Sequence, residues 1–571
     1  MKSALVAATF LFLLPQGAWA HEDESKADLI LHHGKIHTQD SSRTVAEAMA
    51  LRGNLIVAVG PDATIDALIG AKTKVVDLGG RTVLPGLIDA HTHPAQSAQD
   101  LGKCSLGDEN MPVAAELAKI RDCLKANPGS PKNWFEVVQV NPSGFELTAA
   151  DLDTILPDRP IVLSGTDGHN VWVNHKAMSR IGVTSATKDP AGGRIDRDAK
   201  GDPVGVFRDN AQSIVLDHMP KPSVAQEAQR LDKAFAEMRA VGITSVQDAA
   251  VDEHLMEIYK RLYDTHRLKM RVRGSFHLAD PDAAPDALIA AAKAFRTRWA
   301  VDPDFLRADA VKIFADGVIE YPSQTAALLE PYLDADGKPT DRVGPTYFAQ
   351  GSLNRIVAGA DAEGFTVHIH AIGDRAVRSA LDAFAYARRQ NGTRDNRDQI
   401  AHLELVDPAD YPRFKQLGVI ANFQLDWAMV DDYISGGTLP YIGPARAARL
   451  YPARSLRDAG ATIAGGSDWN VSTFDPFEAM ERGVTRRIAR DKEALVPEQS
   501  LTLQDMVDAY TVNAAYALSQ DKTTGSLEVG KRGDLIIVDQ DIFAADPYQV
   551  HATKVLATYL DGKEVYARPA N

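Results

Sequence analysis

From Val83 to about Asp468, short apolar runs alternate with longer stretches whose apolar residues recur every three or four positions. That alternation predicts parallel strands joined by crossover helices. The predicted strands are Val83 to His91, Ile243 to Asp248, Met270 to Phe276, Ala310 to Phe314, Thr366 to Ala371, Gln399 to Leu405, Val419 to Gln424 and Thr462 to Ser467. Helices are predicted over Ala225 to Val241, Asp282 to Trp299, Asp374 to Arg389 and Pro452 to Ala459, the last opening on a proline suited to a first helical position. Such a series predicts an α/β fold of the (β/α)8 TIM-barrel type, with a doubly wound open sheet as the competing arrangement.

The flanks read differently. Leu29 to His37, Ala46 to Leu51, Leu55 to Val59 and Lys74 to Leu78 are short strands between glycine turns, too few to enclose a core alone. Asp534 to Val538, Lys554 to Tyr559 and Glu564 to Ala567 supply partners from the other end, so a small β-sandwich built from both chain ends is expected. About 150 residues separate the first two barrel strands, far more than an ordinary connection. That stretch holds strands of its own at Val137 to Val140, Ile161 to Ser164, Val171 to Val173 and Val204 to Phe207, and predicts a subdomain over one barrel mouth. The expected organisation is a signal peptide over 1–20, a sandwich from 21–84 and 520–571, and a barrel over 85–519 with an insertion over about 95–225.

Composition narrows the function classes. The 571 residues carry 62 Lys and Arg against 77 Asp and Glu, a formal charge of −15, with no basic cluster of the kind that neutralises phosphates. Nucleic acid is therefore not an expected partner, and a small molecule is. Lys2, the apolar run Ala4 to Leu14 and Ala18-Trp19-Ala20 have the form of a secretory signal cleaved after Ala20. The run is too short to span a bilayer, so a periplasmic or secreted chain with no membrane attachment after processing is expected. In an oxidising compartment Cys104 and Cys123 can pair, two buried free thiols being the alternative. Oligomeric state is left open, a homo-oligomer included.

The candidate chemistry lies at the predicted strand ends. His91 and His93 are two apart in a strand, so they project to one side and can hold one metal ion, although such a pair alone is a weak signal. His370 closes the fifth strand, His402 lies in the sixth, Asp468 follows the eighth, and Lys312 stands among apolar neighbours on the fourth. All fall at one level of the predicted barrel, which a set of unrelated core histidines does not explain. Taken singly, Lys312 also reads as a lysine snorkelling outward and Asp468 as a turn or N-cap residue. His368, two before His370, would be the ligand if the register slipped.

These residues resemble the amidohydrolase superfamily, most closely the large-insertion branch that includes N-substituted formamide deformylases. The resemblance runs through 84–93, 242–248, 311–313, 370–377, 466–468 and 525–535. It implies two divalent metal ions, Zn first with Mn, Fe or Co also suited, held by His91, His93, His370, His402 and Asp468 and bridged by Lys312 carboxylated by CO2. It also implies that Asp468 moves the proton while a metal-bound hydroxide attacks the carbonyl. In the insertion, the stretch around His169, Trp172 and Asn174 resembles the pocket lining of that branch. Arg208 is a further candidate for substrate contact, with a structural ion pair as its alternative.

Three departures bear on substrate: Gln399-Ile400-Ala401-His402 in place of Arg-Ile-Glu-His, Gln424-Leu425-Asp426-Trp427 in place of Gln-Pro-x-His, and Trp469-Asn470 after Asp468. The expected function is metal-dependent hydrolysis of a non-peptide C–N bond: amide, N-acyl, N-formyl or cyclic amide. A mononuclear deaminase of the same fold, an ester or lactone hydrolase, and a non-catalytic exported binding protein are the alternatives.

Overall fold

The computed structural model describes residues 25–569 apart from 131, 142–146, 167–169, 191–192 and 322. The signal peptide predicted over 1–20 lies outside the described residues. Among them, no helix is long and apolar enough to cross a membrane.

Eight parallel strands, Leu87–Thr92, Ile243–Val251, Arg271–His277, Leu306–Phe314, Thr366–Ala371, Gln399–His402, Ile420–Phe423 and Ile463–Gly465, lie side by side in chain order. We number them as barrel strands one to eight. The first and last meet: the Asp468 amide donates to the His91 carbonyl at 2.7 Å and the His93 amide to the Trp469 carbonyl at 3.1 Å. Closure into a TIM barrel rather than an open sheet follows from this seam. A Cβ on Gly466 would lie 2.6 Å from the His91 backbone nitrogen, so strand eight can approach strand one only because that position has no side chain. Asp89 fastens the same seam, accepting from the Ser467 amide at 3.0 Å and the Ser467 hydroxyl at 2.5 Å.

The predicted first strand, Val83 to His91, is two strands. Thr82–Pro85 belongs to the sandwich and Leu87–Thr92 to the barrel, with Gly86 between them packed against the Thr244 side chain. A continuous apolar run hid this break because both segments are buried on both faces. The four predicted crossover helices run Val224–Ala240, Pro285–Arg298, Asp374–Asn391 and Ala453–Asp458, and Glu253–Asp264, Gln350–Ala362 and Tyr411–Leu417 also lie between barrel strands. In Ala453–Asp458, Pro452 is the N-cap and not the first helical residue.

The sandwich is made from both ends of the chain. One sheet holds only N-terminal strands, while the other joins Leu535–Val538, Val555–Leu560 and Lys563–Ala567 to Thr82–Pro85, Lys35–His37 and Val45–Ala46. Leu29, Leu31, Met49, Leu51, Ile537 and Tyr559 fill the space between the sheets. The predicted Leu29 to His37 strand divides at Gly34, its halves serving different sheets. Arg271, at the base of barrel strand three and 1% exposed, ties barrel to sandwich by donating to Asp534 at 2.7 and 3.0 Å and to Asp561 at 2.5 Å.

Between barrel strands one and two the chain forms a separate six-stranded sheet with two apolar clusters of its own. Cys104 and Cys123 are disulfide-bonded there, pinning a short edge strand to the helix Val113–Ala126. The Tyr433 hydroxyl, from the loop after barrel strand seven, donates to Asp108 of this subdomain and so joins it to the barrel rim.

Two consequences for stability follow. Gly466→Ala forces strands one and eight apart and is expected to cost about 1–3 kcal/mol, the usual range for overpacking, with a matching drop in thermal midpoint. Arg271→Leu leaves the buried Asp534 carboxylate without its arginine, Asp561 keeping Arg532, and is expected to cost about 3–5 kcal/mol in chemical denaturation, against near-neutral effects for exposed arginines.

Candidate metal centre

Strand order and side-chain alternation bring the polar groups to one end of the barrel. Lys312 is level with His368, and Phe314 with His370, across strands four and five, so each alternate pair faces the interior together. His402 ends strand six with a φ of 78° and Asp468 follows strand eight with a φ of 52°. Both lie in the left-handed region that residues with a Cβ rarely occupy. These turns leave His402 and Asp468 facing groups on strands one and five.

The rings converge. Centroid separations are 4.4 Å for His370 and His402, 4.8 Å for His91 and His402, and 5.6 Å for His91 and His93. Asp468 Oδ1 stands 3.3 Å from His91 Nε2 and 3.0 Å from His93 Nε2. His91, His402 and Asp468 each offer a donor atom within 4.8 Å of the others, a spacing that one ion can span. His91 Nε2, His93 Nδ1, His402 Nδ1, Lys312 Nζ and Asp468 Oδ1 are buried without a hydrogen-bond partner. Such groups are costly to leave unpaired, and imidazole nitrogens with carboxylate oxygens are a donor set suited to a divalent transition metal. The residues therefore fit a metal.

Electrostatics favour the same reading. Burial, with Lys312 nearby, lowers the His91 and His370 pKa values to about 3, keeping both rings neutral, as ligands must be. His402 is held well below the ordinary value by burial and by His370. Burial pushes Asp468 upward, but His91 and His93 outweigh it and hold the carboxyl well below the usual range. Lys312 is fully buried with its Nζ 4.8 Å from the centre of the Phe314 ring, and burial lowers its pKa to about 7. It does not snorkel.

A second layer aims these groups. His368 is not in the outer cluster: its Nε2 shares a 2.9 Å hydrogen bond with His91 Nδ1, while the Gln247 amide donates to its Nδ1 at 2.8 Å. Gln399 donates to Gln247 Oε1 at 3.1 Å, and Asn422 to Gln399 Oε1 at 2.9 Å. Their remaining donors reach the Ala517 and Ala90 carbonyls, which fix the amide orientations. Asp248 lies 3.9 Å from His93 Nδ1 and accepts from the Tyr259 hydroxyl at 2.5 Å. Asp316 accepts three backbone amides, Ala327, Ile372 and Gly373, and lies 3.6 Å from His370 Nε2. Ligand-supporting carboxylates and amides of this kind set ring orientation. The roles of Gln247, Gln399, Asn422 and Asp316 were not anticipated from sequence; the signal for the three amides was polar residues at every second position of strands otherwise apolar, while Asp316 lies in the loop after strand four.

Beside the cluster a cavity of about 410 Å³ is lined by His93, Ser97, Val251, Leu255, His277, Phe314, Asn470 and Val471. Trp427 stacks on His402 at 5.6 Å, and the Trp469 carbonyl accepts from the His93 amide and the Ser97 hydroxyl, so the unusual residues after strands seven and eight shape this rim. The insertion contributes less than expected. Trp172 is buried in the subdomain's own core, and Arg208 donates to Asp196 at 2.8 Å and Asn170 at 2.7 Å, as the structural alternative for it required. His169 lies outside the described residues.

Comparison with known proteins agrees with this geometry. A model of the amidohydrolase family matches residues 74–566. Protein LONG AFTER FAR-RED 3 of Arabidopsis thaliana is 32% identical over 558 residues, covering 95% of this chain and 92% of its own. N-substituted formamide deformylase of Arthrobacter pascens is 27% identical over 564 residues, covering 95% and 98%. A solved metal-dependent hydrolase from Pyrococcus horikoshii OT3 superposes with a TM-score of 0.72 at 21% identity, covering 91% of this chain and 99% of that one. The chain belongs to the amidohydrolase family and is an enzyme.

Proposed function

We propose that this enzyme hydrolyses a non-peptide C–N bond, in an amide, N-acyl, N-formyl or cyclic amide compound, at a divalent metal centre held by His91, His93, His370, His402 and Asp468, with Lys312 as bridge. The observation that carries the reading is the convergence of His91, His402 and Asp468, from strands one, six and eight, whose donor atoms lie within 4.8 Å of one another, with buried donor atoms left unpartnered on all three. The deformylase activity named for the Arthrobacter relative supports the choice of bond. A divalent cation held there would supply Lewis acidity, toward a carbonyl oxygen and toward water alike.

The chain's own groups do the rest. Asp468 stays anionic and is positioned between His91 and His93, so it can take a proton during attack and return it to the leaving nitrogen. His368 holds His91 in orientation through its 2.9 Å hydrogen bond and Asp248 lies beside His93 Nδ1, leaving the Nε2 atoms of both rings toward Asp468. Lys312 in its neutral form can add CO2, losing one proton and gaining two carbamate oxygens, which suit a bridge between two cations where an ammonium does not. Its lowered pKa makes that neutral amine available near pH 7. Export belongs to the same reading, supported by the signal-like first 20 residues and by the Cys104–Cys123 bridge, which suits an oxidising compartment.

The test is a screen of N-formyl, N-acyl and cyclic-amide compounds with the metal-loaded protein. Chelation is expected to abolish turnover, and Zn, Mn, Fe or Co to restore it; activity unaffected by complete metal removal would refute the centre. Asp468→Asn is expected to lower kcat/KM by about 10²–10⁴-fold with the circular-dichroism spectrum unchanged. Lys312→Ala is expected to lose one of two bound metal equivalents together with activity, whereas full metal retention would take Lys312 out of the ligand set.

A further inference from the structure

The sandwich carries a cluster of metal-ligand type that the barrel chemistry does not use. Strand Leu29–His32 pairs in parallel with the edge strand Lys74–Asp77, and the register sets His32 directly beside Asp77. His33 follows with a φ of 55°, in the left-handed region. Consecutive side chains of a regular strand point to opposite faces, whereas here the two imidazoles lie on one side, stacked with centroids 4.0 Å apart. The Leu78 amide donates to the His32 carbonyl at 2.9 Å and the Gly80 amide to the His33 carbonyl at 2.7 Å, so the turn after the edge strand holds the backbone that presents the rings. A donor atom from each of His32, His33 and Asp77 lies within 4.8 Å of the other two.

The separations inside the cluster suit an ion. His33 Nδ1 and Asp77 Oδ1 stand 3.2 Å apart, close to the spacing of two ligand atoms that each lie about 2.0–2.1 Å from a tetrahedral ion. Such a contact is a hydrogen bond when a proton lies between the atoms and a coordination edge when a metal does. His32 Nδ1 lies 3.3 Å from Asp66 Oδ1, a carboxylate–imidazole pair of the kind that fixes a ligand's tautomer and leaves its Nε2 lone pair free. The two rings are 18° from parallel, so one must turn about its side-chain bonds to share an ion, and His33, with its side chain 52% exposed, has room to do so. Charge points the same way. Asp62 accepts from the His33 amide at 2.8 Å, which brings three carboxylates to the two imidazoles, and among the described residues no lysine or arginine is ion-paired with Asp62, Asp66 or Asp77. Carboxylates gathered without a fixed cation attract a mobile one. Two imidazole nitrogens with a carboxylate oxygen select a borderline transition metal over Ca²⁺ or Mg²⁺, which take oxygen ligands.

We propose that His32, His33 and Asp77 bind one zinc ion on the sandwich, with Asp66 as the carboxylate that orients His32. The ion ties the end of the edge strand Lys74–Asp77 to the turn after Leu29–His32, a structural role that needs neither the metal of the barrel mouth nor turnover. The site therefore stands or falls separately from the hydrolase reading.

Equilibrium dialysis of the full chain against micromolar Zn²⁺ near neutral pH, read by atomic absorption, counts the bound ions. His33→Ala and Asp77→Asn alter side chains that are 52% and 66% exposed, so both variants are expected to fold with an unchanged circular-dichroism spectrum. Each is expected to hold one zinc equivalent fewer than wild type, with equivalents bound in the barrel and any turnover unaffected. Asp66→Asn keeps the three ligands and is expected to weaken that equivalent about 10–100-fold, the usual effect of losing a ligand-orienting carboxylate. Zinc is also expected to raise the thermal midpoint less in His33→Ala than in wild type, because an ion bound only by the folded state stabilises it. Equal zinc content in wild type and both variants overturns the site, as does an additional equivalent that appears only at millimolar zinc. A His33-dependent equivalent in a chain that shows no barrel metal and no turnover upholds the site, and the hydrolase reading alone fails.

Discussion

The close approach of barrel strand eight to strand one sets the geometry of the whole mouth. Gly466 lies where any side chain would strike the His91 backbone, and Asp89 holds Ser467 from the other side. Through that contact the Asp468 amide reaches the His91 carbonyl, and its carboxylate arrives between His91 and His93. Were the seam wider by one side chain, the carboxylate and the paired imidazoles would belong to separate edges of an open sheet. Proton transfer and metal binding would then have no common site.

The barrel interior beneath the mouth is unusual in being polar. Gln247, His368, Gln399 and Asn422 form one hydrogen-bonded chain across strands two, five, six and seven, with the His91 ring at one end and the Ala90 carbonyl at the other. Such a network is tolerable only when every member is satisfied, and here it is anchored at both ends. It gives the outer ligands a rigid base. Water exclusion around Lys312 and the neutral histidines follows from the same packing, as does the lowering of their pKa values.

Much of this was legible in the chain itself, for identifiable reasons. Apolar runs and amphipathic helices repeat with enough regularity that all eight barrel strands, and the sandwich drawn from both ends, could be located. His91, His93, Lys312, His370, His402 and Asp468 stood out because each is polar at the end of an apolar strand, and the structure brings them together. The division of the first predicted strand at Gly86 was hidden, since alternation vanishes where both faces are buried. Gln247, Asn422 and Asp316 were passed over because amides and lone aspartates are common in strands and turns. The pairing of Arg208 with Asp196 and Asn170 depends on a hairpin register that composition does not encode.

Anomalous diffraction from crystals of the metal-loaded protein, collected at the absorption edge of the bound metal, tests the central assignment most directly. Density is expected among His91, His93, His370, His402 and Asp468, within about 2.0–2.2 Å of histidine nitrogens and the carboxylate oxygen if the ion is zinc. An empty mouth with the metal elsewhere, such as at the His32, His33 and Asp77 cluster, would contradict it.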